Sequence, residues 1–185
     1  METIRSFVSI AIPETPQVRD ALVKLRGIQG VGVSKEVHLT LRFLGDVETK
    51  KIKELSAKMK ALEEYRSFSV DVKGMGAFPN IREPRVVWIG ADLGSPFSEI
   101  LSSLDKMLDD ASIDYDRKPF KAHVTLGRVK SPSAKLTSIL TEYRDLDAGS
   151  FQCDRISLMS SQLTPGGAKH SSIASFKLAD DQPRT

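Results

Sequence analysis

One cysteine, one tryptophan and three histidines are all this chain holds of the residues most often recruited for redox, stacking and proton chemistry. A lone Cys153 excludes an internal disulfide, and no grouping of cysteine with histidine has the spacing of a structural zinc site. A reducing cytoplasm is the expected setting. No apolar run approaches membrane-spanning length, so no membrane partner is expected. The opening "METIRSFVSIAIPETP" has a short apolar stretch, but an acidic residue precedes it and no small-residue cleavage pattern closes it, so it reads as a first strand. A Gly-rich phosphate loop is missing after every expected strand, which removes nucleotide kinases and dehydrogenases. Low-complexity tracts are absent too, and only the tail from 179 to 185 reads as loose.

What is present suits a folded protein. A hydrophobic content of 40% over 185 residues is enough to build the core of one domain. The net charge of +3 and a pI near 9.0 permit a polyanionic partner. Basic and acidic residues are interspersed, however, so charge alone is a weak pointer to RNA.

The elements alternate. "IRSFVSIAI" reads as a strand and "PETPQVRDALVKLRGI" as a helix with apolar Val18, Leu22 and Leu25. "KEVHLTLRFLG" is a second strand, Asp46 and Thr49 open the charged helix "TKKIKELSAKMKALEEY", and "SFSVDVKGMGAF" alternates as a third strand. The second half repeats this order with "PRVVWIGADL", "SPFSEILSSLDKMLDDA", "KAHVTLGRV", "SPSAKLTSILTEY" and "SFQCDRISLMSSQL". The pattern implies an internal duplication, about 1–80 and 84–178, inside a single bilobal domain spanning 1–185. A pseudo-twofold arrangement of the halves brings His38 and His123 together across a central cleft.

Residues two apart on a strand share a face. His38 and Thr40 therefore look one way while Leu39, Leu41 and Phe43 are expected in the core, and His123 and Thr125 repeat this against Val124 and Leu126. Two imidazole and hydroxyl pairs facing a cleft suit a phosphodiester. The hydroxyls donate to its non-bridging oxygens, one imidazole takes a proton from the incoming water, and the other gives one to the leaving oxygen. Imidazoles titrate near pH 6.5, so one neutral and one protonated ring coexist near neutrality with no metal or other cofactor required. A lone His-x-Thr is usually a polar strand face; two copies at equivalent places in a repeat shift the balance toward chemistry.

The stretches "RSFVSIAIP", "HLTLRFLGDV", "GAFPNIREPRVVWIG", "KPFKAHVTLGRVK" and "SQLTPGGAKHSSIASF", in this order over essentially the whole chain, resemble the RNA 2',3'-cyclic phosphodiesterase family, formerly called 2'-5' RNA ligase, of the two-histidine (2H) phosphoesterase superfamily. The resemblance implies an α+β fold with two antiparallel sheets lining a central cleft and helices packed outside. It also implies metal-independent opening of an RNA terminal 2',3'-cyclic phosphate to a 2'-phosphate, and 2'-5' ligation in reverse. Carried over by position, His38 is the proton donor to the departing 3'-oxygen, His123 the proton acceptor from water, and Thr40 and Thr125 hold the phosphate. The expected partner is RNA ending in a cyclic phosphate, tRNA fragments among them, met by a monomer.

Four further residues are substrate-binding candidates. Arg128 follows the second motif but lies on the wrong face by strict alternation, unless a bulge at Gly127 re-aims it. Arg42 has the parity to face the cleft beside Thr40. Phe43 is either a base-stacking ring or core. His170, where the family commonly has tyrosine, either lines the cleft or sits exposed in a closing loop. Trp88 and Cys153 read as core. Two other readings stay open, a phosphodiesterase acting on another cyclic phosphate such as ADP-ribose 1'',2''-cyclic phosphate or a small nucleotide, and a non-catalytic RNA-end binding module.

Overall fold

A computed structural model describes residues 1–180. The chain runs β1 (Thr3–Ala11), α1 (Pro16–Arg26), β2 (Val31–Val33), β3 (His38–Glu48), α2 (Thr49–Met59), a 3-10 turn (Lys60–Glu64), β4 (Phe68–Phe78), β5 (Val86–Leu93), α3 (Phe97–Asp110), β6 (His123–Val129), α4 (Ala134–Glu142), β7 (Asp147–Cys153), β8 (Arg155–Thr164) and β9 (Gly167–Lys177). The expected α+β class holds, and the strands named above pair antiparallel throughout.

Side-chain caps start α1 and α4; α2 begins at Thr49 as expected, but Asp46 lies in β3 and makes no cap, and Glu48 before the helix makes no side-chain cap bond. Thr15 accepts a hydrogen bond from the Val18 amide, Pro16 occupies the first turn, and Lys24 and Arg26 close α1. Val18, Ala21, Leu22 and Leu25 are its buried face. Ser133 caps α4 in the same way through the Leu136 amide.

The sheet order is β7-β4-β5-β6-β3-β1-β8-β9, with β2 pairing off this path to β6. Each sequence half sends its end across: β4 of the first half pairs with β5 and β7, while β8 of the second half pairs with β1 and carries β9 with it. Between the β7-β4-β5-β6 group, which β2 extends, and the β3-β1-β8-β9 group the ladder is a single pair, Leu39 opposite Val124, both fully buried. The two expected sheets are thus two groups hinged at one position on the histidine strands.

Three details depart from the sequence reading. The strand expected over 150–163 breaks at Asp154 into β7 and β8, and the Leu178 amide bonds to the Asp154 carbonyl at that break. The closing segment "GAKHSSIASF" is strand β9, paired with β8 from Thr164 opposite Gly167 to Arg155 opposite Lys177. Of the expected loose tail, Ala179 bridges Arg66, and 181–185 lie outside the described residues. Among the described residues no helix is long and apolar enough to cross a membrane.

Candidate active site

The pairing of Leu39 with Val124 fixes the site. Antiparallel register continued one step either way sets His38 beside Thr125 and Thr40 beside His123, and alternation turns all four away from the buried Leu39 and Val124. They line one cleft of about 720 Å³, together with Phe43, Arg128 and His170. Seven of the eight residues expected at a site are therefore brought together. Arg42 is not.

A bulge recurs in both motifs and explains the difference. On β3, Thr40 pairs with Ser9 and Arg42 with Val8, so Leu41 has no partner on β1. On β6, Thr125 pairs with Trp88 and Gly127 with Val87, so Leu126 has none on β5. Each extra residue reverses the alternation that follows it. Arg128 is swung into the cleft, and by the same device Phe43 enters it, 43% exposed, while Arg42 is swung out. The expectations of Arg42 in the cleft and of Phe43 in the core are both corrected. Arg42 instead makes a two-pronged ion pair with Asp105 of α3, 2.7 Å from Nε and 2.9 Å from Nη2, with only 10% of its side chain exposed. The Tyr115 and Phe120 rings lie 5.4 and 5.9 Å from its guanidinium carbon.

The histidines differ in their surroundings. His123 Nδ1 lies 2.7 Å from the Lys121 carbonyl oxygen. A carbonyl only accepts, so Nδ1 carries the hydrogen, and the neutral ring keeps its lone pair on Nε2. The Phe78 ring meets His123 edge-on with centroids 5.1 Å apart. His38 instead stacks on Phe7 at 5.0 Å. Burial, and then the charge of His170, hold His38 below the ordinary imidazole value, with Glu36 acting in the opposite sense.

Sequence reasoning missed several lining residues. Arg5 and Phe7 of β1, Lys35 and Glu36 before β3, and Lys130 after β6 all face the cleft. The Arg5 guanidinium lies 4.7 Å from the Phe43 ring centroid, and Lys35 donates across the opening to the Gly166 carbonyl at 3.0 Å. Only β1 carried a signal, since Arg5 and Phe7 share parity on a strand rich in apolar residues. Trp88 is not core: it is half-buried against Phe78 and pairs with Thr125. Cys153 is buried as expected, its thiol pushed up to about 11 by burial.

Residues 20–165 match the family model described as the 2'-5' RNA ligase superfamily. The chain belongs to that superfamily. Among its relatives is the "RNA 2',3'-cyclic phosphodiesterase" of Methanothermobacter thermautotrophicus, 34% identical over 181 residues, covering 96% of this chain and 94% of the relative. Another of that name, from Archaeoglobus fulgidus, is 30% identical over 178 residues, covering 94% and 100%. Among solved structures, TT0787 of Thermus thermophilus superposes with a TM-score of 0.79 at 28% identity, covering 96% of this chain and all (100%) of that one. The E. coli LigT structure with NADP+ shares the fold, with a TM-score of 0.74 at 22% identity over 96% and 99%.

Proposed function

We propose that this chain hydrolyses the terminal 2',3'-cyclic phosphate of RNA to a 2'-phosphate, with His38 and His123 as the acid and base pair. The observation that carries this reading is the meeting of both His-x-Thr pairs in one cleft around the Leu39–Val124 pair. The names of the curated relatives and the superfamily support the substrate.

In this reading His123 Nε2 removes a proton from water as the water oxygen attacks phosphorus. The bond from phosphorus to the 3'-oxygen breaks, and His38 gives its proton to that oxygen. A 3'-hydroxyl and a 2'-phosphate remain. The Lys121 carbonyl favours the assignment of His123 as base, because it holds the hydrogen on the far nitrogen. Thr40 and Thr125 donate to the non-bridging oxygens, and Arg128 neutralises their charge. Phe43, backed by Arg5, offers a face to a base. An anionic phosphodiester opposes the causes that depress His38, so RNA binding and loading of the acid are linked. The same steps reversed, with a 5'-hydroxyl in place of water, give 2'-5' ligation. The proton chemistry calls on no metal, and this reading places the chain as a monomer in a reducing cytoplasm, where Cys153 stays free.

The test is incubation with a short RNA ending in 2',3'-cyclic phosphate in the presence of EDTA, followed by mapping of the product. A 2'-phosphate is expected. A 3'-phosphate would reverse the leaving group, and unchanged RNA that still binds would leave an end-binding module.

A further inference from the structure

His170 stands on β9, paired with Ser161 of β8, three strands away from His38 on β3 in the order β3-β1-β8-β9. Adjacent strands lie about 4.8 Å apart, so in a flat sheet the three strand steps alone would hold these positions at least roughly 14 Å from one another. The two ring centroids are instead 5.2 Å apart, which requires the β8–β9 hairpin to curl back over β1. Phe7 is common to both contacts, stacked on His38 at 5.0 Å and edge-on to His170 at 5.0 Å.

The His170 ring is held by this packing rather than by hydrogen bonds. Its Nδ1 is buried and has no protein partner among the described residues. A buried polar atom left unpaired is costly, and a titratable ring kept in such a place needs a reason beyond filling space. Phenylalanine would fill the same gap between Phe7 and His38 without that cost.

We propose that His170 is a positioning residue that sets, from the edge of the His38 ring, how readily that imidazole exchanges its proton with substrate. This inference rests on the acid role given above to His38. A positive charge on His170 at this separation disfavours protonation of the partly buried His38 ring. The charge of His170 is the second of the causes that depress His38, after burial. The other charged or titratable groups facing the pair are Arg5 from β1, Lys35 and Glu36 from the segment before β3, and His123, Arg128 and Lys130 from β6 and its end. Ser161 represents β8 in the cleft, and Lys169 has the opposite parity to His170 on β9. Of these groups Glu36 acts on His38 in the opposite sense, so His170 is the charged neighbour that, after burial, disfavours protonation of His38.

The test is a proton-nitrogen NMR titration of the three imidazoles in the wild type and of the two that remain in His170→Gln and in His170→Tyr. The His38 curve moves to higher pH in both variants while the His123 curve stays in place, and the pH profile of kcat/KM on cyclic-phosphate RNA moves with it. His170→Tyr keeps an aromatic ring packed against Phe7 and His38, so a purely structural role would leave the His38 titration of that variant where it was, which would overturn the proposal. The NMR readout needs no turnover. A wild type inactive on this RNA would therefore sink the proposed reaction, while the ring coupling would still be read.

Discussion

Leu39 and Val124 face each other as the single paired position between β3 and β6. This one pair joins the two groups of strands, and both His-x-Thr motifs begin one residue before it. Both side chains are fully buried while the residues flanking them open to the cleft. The junction of the fold and the centre of the site are thus the same place, viewed from opposite sides of the sheet.

Truncation there should act on both. Leu39→Ala removes a fully buried side chain at a cost of about 2–5 kcal/mol. Urea unfolding measures that loss, and a matched turnover assay on cyclic-phosphate RNA should show a fall larger than for a Leu→Ala change of equal cost in α1, such as Leu22→Ala. Equal turnover in the two variants would separate the junction from the chemistry.

Arg42 and Arg128 should respond in opposite ways. Arg42→Met breaks the ion pair with Asp105 and costs about 1.5–3 kcal/mol of stability, in the range for hydrogen bonds to charged groups. KM for RNA should not change. Arg128→Ala should leave the melting temperature in place, raise KM, and flatten the dependence of binding on salt. A raised KM in Arg42→Met with wild-type stability would return that residue to the cleft.

These two arginines mark where the sequence stops being legible. Alternation with a period of two was enough to put His38, Thr40, His123 and Thr125 on shared faces, because no bulge precedes them in their strands. After the bulge the parity reverses. In the second motif Gly127 signals the break, and its close approach to β2 leaves no room for a side chain, since a Cβ there would lie 2.9 Å from the Gly32 carbonyl. The first motif has Arg42 at the equivalent position and gives no such signal. His170 was a candidate from the sequence, but its contact with His38 was hidden for another reason: the hairpin turn at Pro165 and Gly166 makes its surroundings read as loop, and the curl over β1 depends on packing between distant segments. The exchange of β4 and β8 between groups is equally invisible, because a repeat gives the order of strands but not their partners.

Stability should depend on pH through His38. Its folded value is depressed, so between that value and about 6.5 the unfolded chain binds more protons than the folded one. The stabilisation is complete above that window and is lost as pH falls through the folded value. Thermal melts from pH 7 to pH 5 should fall more steeply for the wild type than for His38→Gln. Parallel slopes would mean that His38 is not depressed.

The most direct test of the central claim is single-turnover cleavage of cyclic-phosphate RNA, with EDTA present, by the wild type, His38→Gln, His123→Gln and the double variant. Acid and base acting on one phosphorus predict a loss on the order of 10²–10⁴-fold for each single change, and a double change little worse than the more damaging single one. Wild-type turnover in either single variant would contradict a shared acid and base pair.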